Sequence, residues 1–181
     1  RLAKSALDAG VPIWTGSPVL RLVQQAGRVV GAVVQREGRE VEVRARSGVV
    51  LACGGFPHDA QRIARAYPHL RSGGEHVSPV PTGNTGDGIA LAESVGGQFD
   101  LRFPSASAWM PVSKVPLGKK GADGSTGVFP HLLDRYKPGV IGVLRNGKRF
   151  TNESNSYHDV GAAMIRACAE QGQKDTAMWL V

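Results

Sequence analysis

The feature that most constrains the fold is an apolar run, Val49-Val-Leu-Ala52, that stops at Gly54-Gly55. An uninterrupted apolar run of this length is typical of a strand that is buried on both faces of a parallel sheet. Ligands of open α/β sheets bind beyond the carboxyl ends of such strands, where glycines let a ligand approach the backbone. A tight strand-to-loop turn with no ligand explains the same residues, so the run alone leaves both interpretations open.

A second glycine-rich segment, Asn84-Thr-Gly-Asp-Gly88, opens a predicted helix over residues 87–95. The first backbone N–H groups of a helix have no partner within it, and they favour an anion or an electron-rich group. Asp87 also fits the simpler role of capping the helix. The two roles are compatible, so the segment predicts a helix start with or without a ligand.

Between residues 19 and 46 the sequence predicts an antiparallel meander of three strands, over 19–24, 29–35 and 41–46. Gly27-Arg28 and Glu37-Gly38 separate the strands, and residues 41–46 alternate strictly between apolar and polar. Strict alternation indicates that one face of the sheet is wet. Shorter patterns predict a helix over 2–7 and a strand over 11–14, and residues 58–67 predict a further helix.

The second half of the chain has a different character. Residues 101–138 are rich in Pro and Gly and predict irregular structure, so we expect a domain boundary near Phe103, between domains 1–102 and 103–181. Asn146-Gly147, between apolar residues 140–144 and residues 148–151, predicts a type I′ hairpin. An amphipathic helix over 157–169 and a strand over 177–181 follow.

Composition and charge exclude several classes of protein. No apolar run approaches the ~20 residues that span a bilayer, so we expect no membrane span. The net charge of +7 is dispersed, with no aromatic-basic signature, which argues against nucleic acid. Either a solvated basic surface or an anionic cofactor or substrate explains the charge. Cys53 and Cys168 form no CxxC pair and the histidines are scattered, so we expect no metal, no disulfide framework and a cytoplasmic location.

In their order and separation, residues 49–56, 84–89 and 146–153 resemble the middle of an FAD-dependent dehydrogenase of the fumarate reductase and 3-ketosteroid dehydrogenase type. The resemblance covers nearly the whole chain. It implies an α/β fold: a partial FAD-binding Rossmann-like domain with an antiparallel β-meander, then part of an α+β capping domain. No upstream G-x-G-x-x-G is present, so we expect the N- and C-terminal parts of the same polypeptide as partners, and weak or no FAD binding by the isolated chain.

The resemblance also assigns the cofactor-binding residues. In that family an apolar strand ending in T/A-G-G-F lies near the adenosine part of FAD, and a T-G-D-G turn lies against the flavin. Cys53 stands where the family usually has Thr or Ala, and we interpret it as a small buried filler. The residues implied at FAD are Ala52, Gly54 and Gly55, then Thr85, Gly86 and Asp87, and more loosely Val19, which follows the first strand.

On the substrate side, Asn152-Glu-Ser-Asn-Ser-Tyr157 matches the N-E-x-x-x-Y of the steroid dehydrogenases. The resemblance implies that Tyr157 is catalytic and helps to take a proton from the substrate. A phenol has a pKa of about 10 and needs an electropositive site to act as a base, and a Tyr packed at a helix start is the alternative. His131 is a candidate substrate contact, or a loop histidine that is bonded to backbone. Arg149 and Glu153 either lie over the flavin or pair to hold the hairpin to the next helix.

One departure points away from fumarate reductase. Those enzymes carry E-x-x-R-G-E-G before the hairpin, and this chain has Leu133-Asp-Arg-Tyr-Lys-Pro-Gly139. The pattern is more similar to the ketosteroid dehydrogenases. The implied function is formation or reduction of a C=C bond beside a carbonyl or carboxylate of a small-molecule substrate, by hydride transfer to or from flavin. The alternative is a non-catalytic fragment or a small-molecule binding module without flavin.

Overall fold

The computed structural model describes residues 1–103, 105–117 and 126–181. In chain order the elements are α1 (Leu2–Asp8), β1 (Val19–Gln25), β2 (Arg28–Arg36), β3 (Arg39–Arg44), α2 (Ala60–Ala66), α3 (Pro68–Arg71), α4 (Asp87–Glu93), β4 (Val112–Pro116), β5 (Thr126–Pro130), a 3-10 turn (Asp134–Tyr136), β6 (Gly142–Val143), α5 (Tyr157–Glu170) and β7 (Trp179–Leu180).

The chain forms two compact units. The first unit contains Arg1–Cys53 and Asp87–Phe99, and the second contains Gly54–Gly86 and Asp100–Val181. The predicted division into domains 1–102 and 103–181 stays a prediction. No helix within the described ranges is long and apolar enough to cross a membrane.

In the first unit the predicted meander is confirmed, with β1, β2 and β3 antiparallel in that order. Its two turns place Ala26-Gly27 and Glu37-Gly38 at positive φ, which is the geometry that matches the twist of paired strands. Gly31 on β2 is also required, because the neighbouring strand β3 leaves no room for a side chain. A Cβ there would lie 2.3 Å from the carbonyl oxygen of Val43 on β3, so a larger residue would push the two strands apart.

Two predicted strands of the first unit are wrong. Residues 11–14 and 49–52 form no strand, and Val50 is 87% exposed. Cys53, which we expected to be buried, is exposed too. A segment forms a strand only where another strand pairs with its backbone, and none of the described residues pairs with 49–52. The predicted strand therefore does not form within the described residues.

The second unit begins with α2, which confirms the single helix predicted over residues 58–67, and continues with α3, which was not predicted. Asp59 caps α2 by accepting hydrogen bonds from the backbone N–H groups of Gln61 and Arg62. Pro68 then ends α2 and begins α3, because proline fits the first turn of a helix but not its interior. The stretch predicted to be irregular contains a β4–β5 hairpin, with Ser113 directly opposite Phe129. The adjacent lysines Lys119 and Lys120, part of the dispersed positive charge, lie outside the described residues.

The predicted amphipathic helix is confirmed as α5. It buries Val160, Gly161, Ala163 and Cys168. Gly161 lets the helix approach the chain closely, since a Cβ there would lie 2.7 Å from the Cβ of Trp109. Glycine is about 1 kcal/mol less favourable than alanine inside a helix. In return, its missing side chain allows α5 to pack closely against Trp109.

The predicted turn at Asn146-Gly147 is present, but it is not of type I′, because only Gly147 has positive φ. The Asn146 side chain accepts a hydrogen bond from the backbone N–H of Lys148 at 3.0 Å, which closes an Asx turn. Beyond one bridge between Val143 and Arg149 the arms of the hairpin do not pair. β6 pairs with β7 instead, which confirms the predicted C-terminal strand in shorter form.

Candidate functional site

Two glycine-rich segments meet in the second unit. Gly54 has φ +80°, and a Cβ on it would lie 2.7 Å from Oδ1 of Asn84. The backbone N–H of Gly86 donates to the carbonyl of Gly55 at 3.2 Å, and the N–H of His58 donates to the carbonyl of Asn84 at 3.1 Å. The structure therefore brings together Gly54, Gly55 and Gly86, which the sequence presents as separate signals.

Gly86 is buried in this contact, and no side chain fits there. It has φ +81°, and a Cβ would lie 3.2 Å from Cβ of Phe56 and 3.4 Å from Oδ2 of Asp59. Asp59 is held in turn by Arg62, with 3.0 Å between Oδ2 and Nε. Contacts within the protein therefore explain why this position is glycine. The exposed neighbours of Gly86 are Thr85 and Asp87.

The remaining cofactor-binding candidates belong to the first unit, except Thr85, which lies exposed beside Gly86. Val19 begins β1 and is 41% exposed, and Ala52 is exposed. Asp87 is the first residue of α4. A Cβ on Gly88 would lie 3.4 Å from Cβ of Cys53, so the end of the apolar run packs against the start of α4.

Tyr157 is the first residue of α5 and is 40% exposed. Ser156 caps the helix by accepting a hydrogen bond from the N–H of Asp159 at 3.1 Å. Nδ1 of the next residue, His158, accepts from the backbone N–H of Trp109 at 3.1 Å. These contacts fix the first turn of α5, and with it the backbone position from which the Tyr157 phenol extends.

The segment before Tyr157 is anchored by a buried carboxylate, Glu153, whose side chain is 6% exposed. Its Oε1 accepts from the N–H of Gly142 at 2.7 Å, and its Oε2 accepts from Nη2 of Arg149 at 2.5 Å. The Glu153 carbonyl accepts a hydrogen bond from Arg135. The structure shows Arg149 and Glu153 as an ion pair, which joins the turn to the segment that leads into α5.

The hydrogen bonds from Arg149, joined by the N–H of Gly142, lower the pKa of Glu153 to about 2, against the opposing effect of burial. Glu153 is therefore ionised at neutral pH. Arg135 is the part of this network that sequence reasoning missed. Its side chain is buried, although Arg in a Pro-rich loop is ordinarily exposed.

His131 follows β5 and uses both ring nitrogens. Nε2 lies 2.7 Å from Oγ of Ser113 on β4, and Nδ1 lies 2.5 Å from Oδ2 of Asp134. The imidazole of His131 is thus bonded to two side chains, whereas one interpretation expected it to be bonded to backbone. The Asp at i+3 could have been found in the sequence. Ser113 could not, because its position depends on the register of the β4–β5 hairpin.

The second unit also contains a cavity of about 640 Å³ beside the glycine segments, lined in part by Gly55, Phe56 and Asn84. Neither Tyr157 nor His131 lines it. Its walls include a cluster of packed rings, Tyr67, His69, His76 and Trp109.

Two of these rings are imidazoles. Burial, with repulsion from His76, lowers the pKa of His69 to about 4, and burial with repulsion from His58 lowers the pKa of His76. His69 is therefore neutral at neutral pH. The cavity presents aromatic and imidazole surface, and its lining Glu75 and Lys114 are paired with each other.

Comparison with known proteins adds relatives of known activity. The chain is 39% identical to 4-oxocyclohex-2-ene-1-carboxylate 5-dehydrogenase of Sinomonas cyclohexanicum, over 99% of this chain and 29% of the relative. It is 37% identical to 3-oxosteroid 1-dehydrogenase of Mycobacterium tuberculosis, over 96% of this chain and 30% of the relative. The chain thus spans about 30% of the length of the curated relatives it matches.

The fold matches a solved dehydrogenase. The crystal structure of 3-ketosteroid delta1-dehydrogenase from Sterolibacterium denitrificans with 1,4-androstadiene-3,17-dione superposes with a TM-score of 0.76 at 29% identity, over 99% of this chain and 30% of that chain. The α/β fold expected from the resemblance is confirmed.

Fumarate reductase is more distant. The fumarate reductase (cytochrome) of Shewanella frigidimarina is 28% identical over 80% of this chain and 23% of the relative. The prediction that the chain is more similar to the ketosteroid dehydrogenases is confirmed. The model of the FAD binding domain matches residues 1–181, and the chain belongs to that family.

Proposed function

We propose that the protein containing this chain is an FAD-dependent oxidoreductase acting on CH–CH groups. It forms or reduces a C=C bond beside a carbonyl or carboxylate, more in the manner of a ketosteroid dehydrogenase than of a fumarate reductase. The observation that carries the proposal is the match of 99% of the chain, at a TM-score of 0.76, to a ketosteroid dehydrogenase. A function without flavin is not favoured, since the relatives named above are dehydrogenases.

The residues proposed to hold the cofactor divide by unit. In the second unit we propose Gly54, Gly55, Thr85 and Gly86, whose two segments are joined by the hydrogen bond from the N–H of Gly86 to the carbonyl of Gly55. In the first unit we propose Val19, Ala52 and Asp87, on the resemblance. FAD, when bound, supplies the redox centre, and the protein supplies position and acid–base groups.

On the substrate side we propose that Tyr157 takes the proton from the carbon beside the carbonyl. It is the first residue of a 14-residue helix, and the first N–H groups of such a helix carry partial positive charge. His131 is retained as a proposed substrate contact. Because both its nitrogens are engaged by Ser113 and Asp134, that contact would be made by the ring edge.

Partners and location follow as proposals of the same kind. We expect a small-molecule substrate, the remaining N- and C-terminal parts of the same polypeptide, and no nucleic acid. A cytoplasmic location is consistent with two cysteines that are both free thiols.

Reduction of the flavin tests the proposed activity. The full-length protein is purified with its flavin and mixed anaerobically with 4-androstene-3,17-dione or with 4-oxocyclohex-2-ene-1-carboxylate. We expect one of these ketones to bleach the visible flavin band and fumarate to reoxidise the reduced protein poorly. A preparation without flavin, or one whose flavin neither ketone bleaches, would contradict the proposal.

Replacing Gly54 with Ala tests the proposed cofactor contact. The substitution places a side chain at φ +80°, which costs roughly 1–2 kcal/mol, and sets its Cβ 2.7 Å from Asn84. We expect flavin content per protein to fall severalfold. Gly83→Ala is the matched control, because Gly83 lies in the neighbouring segment with open space around it. Equal flavin content in the two variants would remove Gly54 from the cofactor site.

A further inference from the structure

Ser113, His131 and Asp134 form a continuous hydrogen-bonded chain in the second unit. Oγ of Ser113 lies 2.7 Å from Nε2 of His131, and Nδ1 of the same ring lies 2.5 Å from Oδ2 of Asp134. The His131 side chain is 15% exposed and that of Asp134 is 34% exposed. The order of atoms is hydroxyl, imidazole, carboxylate, with each ring nitrogen facing a different partner.

The direction of the protons follows from the carboxylate. The pKa of Asp134 is lowered, with burial opposing the hydrogen bond from His131 that lowers it, so Asp134 is ionised and only accepts. Nδ1 of His131 must then carry a hydrogen, and its N–H donates the hydrogen bond to Asp134. In the singly protonated ring Nε2 is left as an acceptor, and the Ser113 hydroxyl donates to it. The serine is thus bonded to the basic nitrogen of an imidazole that a carboxylate orients.

A second feature of the same face suits an apolar group beside the serine. Phe129 lies directly opposite Ser113 on the hairpin, and Val115 lies two residues along β4, so all three share one face. Phe129 is 50% exposed and Val115 is 41% exposed. The neighbours of Ser113 along β4, Val112 and Lys114, line the cavity, as alternation requires.

We propose that Ser113 is an activated nucleophile that is acylated by small esters with an apolar or aromatic group, an activity separate from the flavin reaction. Ser113 and His131 contact the reacting atoms, and Asp134 is a positioning residue that acts through His131. The apolar residues Phe129 and Val115 would contact the ester group. A hydroxyl bonded to an oriented base is the arrangement that nucleophilic catalysis requires.

The chemistry balances without any cofactor. The Ser113 Oγ–H proton passes to Nε2 of His131 as Oγ bonds to the ester carbonyl carbon, and the bond to the alcohol oxygen breaks. The alcohol leaves with the proton that His131 held. Water, giving a proton to His131, then attacks the acyl group and releases the acid, which restores the Ser113 hydroxyl. We expect slow turnover, because we assign no group in the described part of the chain to stabilise the oxyanion.

Labelling of the full-length flavoprotein tests the proposal, with a fluorophosphonate as the probe and mass spectrometry as the readout. We expect one phosphonyl group on Ser113, with fluoride as the leaving group, and a burst of p-nitrophenol from p-nitrophenyl acetate. Ser113→Ala should abolish both signals. Ser94→Ala is the control, because Ser94 is exposed and its hydroxyl donates to the carbonyl of Leu91 rather than to a base.

The role of Asp134 has its own readout. Asp134→Asn should slow labelling of Ser113 about tenfold or more, within the range of general-base catalysis, and Asp134→Glu should restore part of the rate. Flavin content and melting temperature verify that the variants fold. Absence of a Ser113 adduct in the wild-type protein, or labelling of Asp134→Asn at the wild-type rate, would overturn the proposal and leave the proposed flavin reaction untouched.

Discussion

Tyr157→Phe is expected to lower turnover of the full-length enzyme by about 10²–10⁴-fold, the usual contribution of a general acid–base group. The substitution removes the hydroxyl that we propose takes the substrate proton and keeps the ring at the start of α5. Because Tyr157 is 40% exposed, loss of the hydroxyl leaves no polar partner buried, so stability should change little. Steady-state kinetics with the ketone identified by flavin reduction measures the effect.

Tyr136→Phe is the matched control for this experiment. Tyr136 lies in the 3-10 turn and is 44% exposed, so it undergoes the same chemical change at a similar exposure. Its turnover and flavin content should equal those of the wild type. A Tyr157→Phe enzyme with turnover within about twofold of wild type, well below the range of acid–base catalysis, would show that Tyr157 only packs.

Glu153→Gln is expected to destabilise the protein by about 3–4 kcal/mol at neutral pH. The figure follows from the fall of the Glu153 pKa from 4.5 to about 2, at ~1.4 kcal/mol for each pKa unit. The physical cause is the loss of the charge that holds Arg149 and the N–H of Gly142 around a side chain that is 6% exposed. Urea unfolding of both proteins gives the difference.

The pH dependence of the same two proteins provides a second check. Because the pKa is lower in the folded state, the contribution of Glu153 is complete above about pH 4.5 and is lost as pH falls toward about 2. Glu153→Gln should lack this part of the acid slope. Glu42→Gln is the control, since Glu42 pairs with Arg44 at the surface and such pairs contribute about 0–1 kcal/mol. Equal effects of the two substitutions would contradict the structural role of Glu153.

Local patterns predicted the elements that local forces decide. The meander follows from alternation in residues 41–46 and from the glycines at its turns, and α5 follows from the spacing of Val160 and Cys168. The β4–β5 hairpin was missed because Pro and Gly residues disfavour the prediction of a strand. Its pairing is also a contact between separate segments, which local patterns do not predict. The type of the turn at Asn146 was missed because its own side chain bonds Lys148.

The sequence by itself determined the family of this protein. The glycine segments and the N-E-x-x-x-Y pattern need only residue identity and spacing, and the match over residues 1–181 agrees with them. The contacts were decided by tertiary structure alone. Gly54 meets Asn84, and Ser113 meets His131, only because the chain returns on itself, and no periodicity encodes the distance between segments that are far apart in sequence. The apolar run at 49–52 shows the same limit, since a strand forms only where partner strands satisfy its backbone.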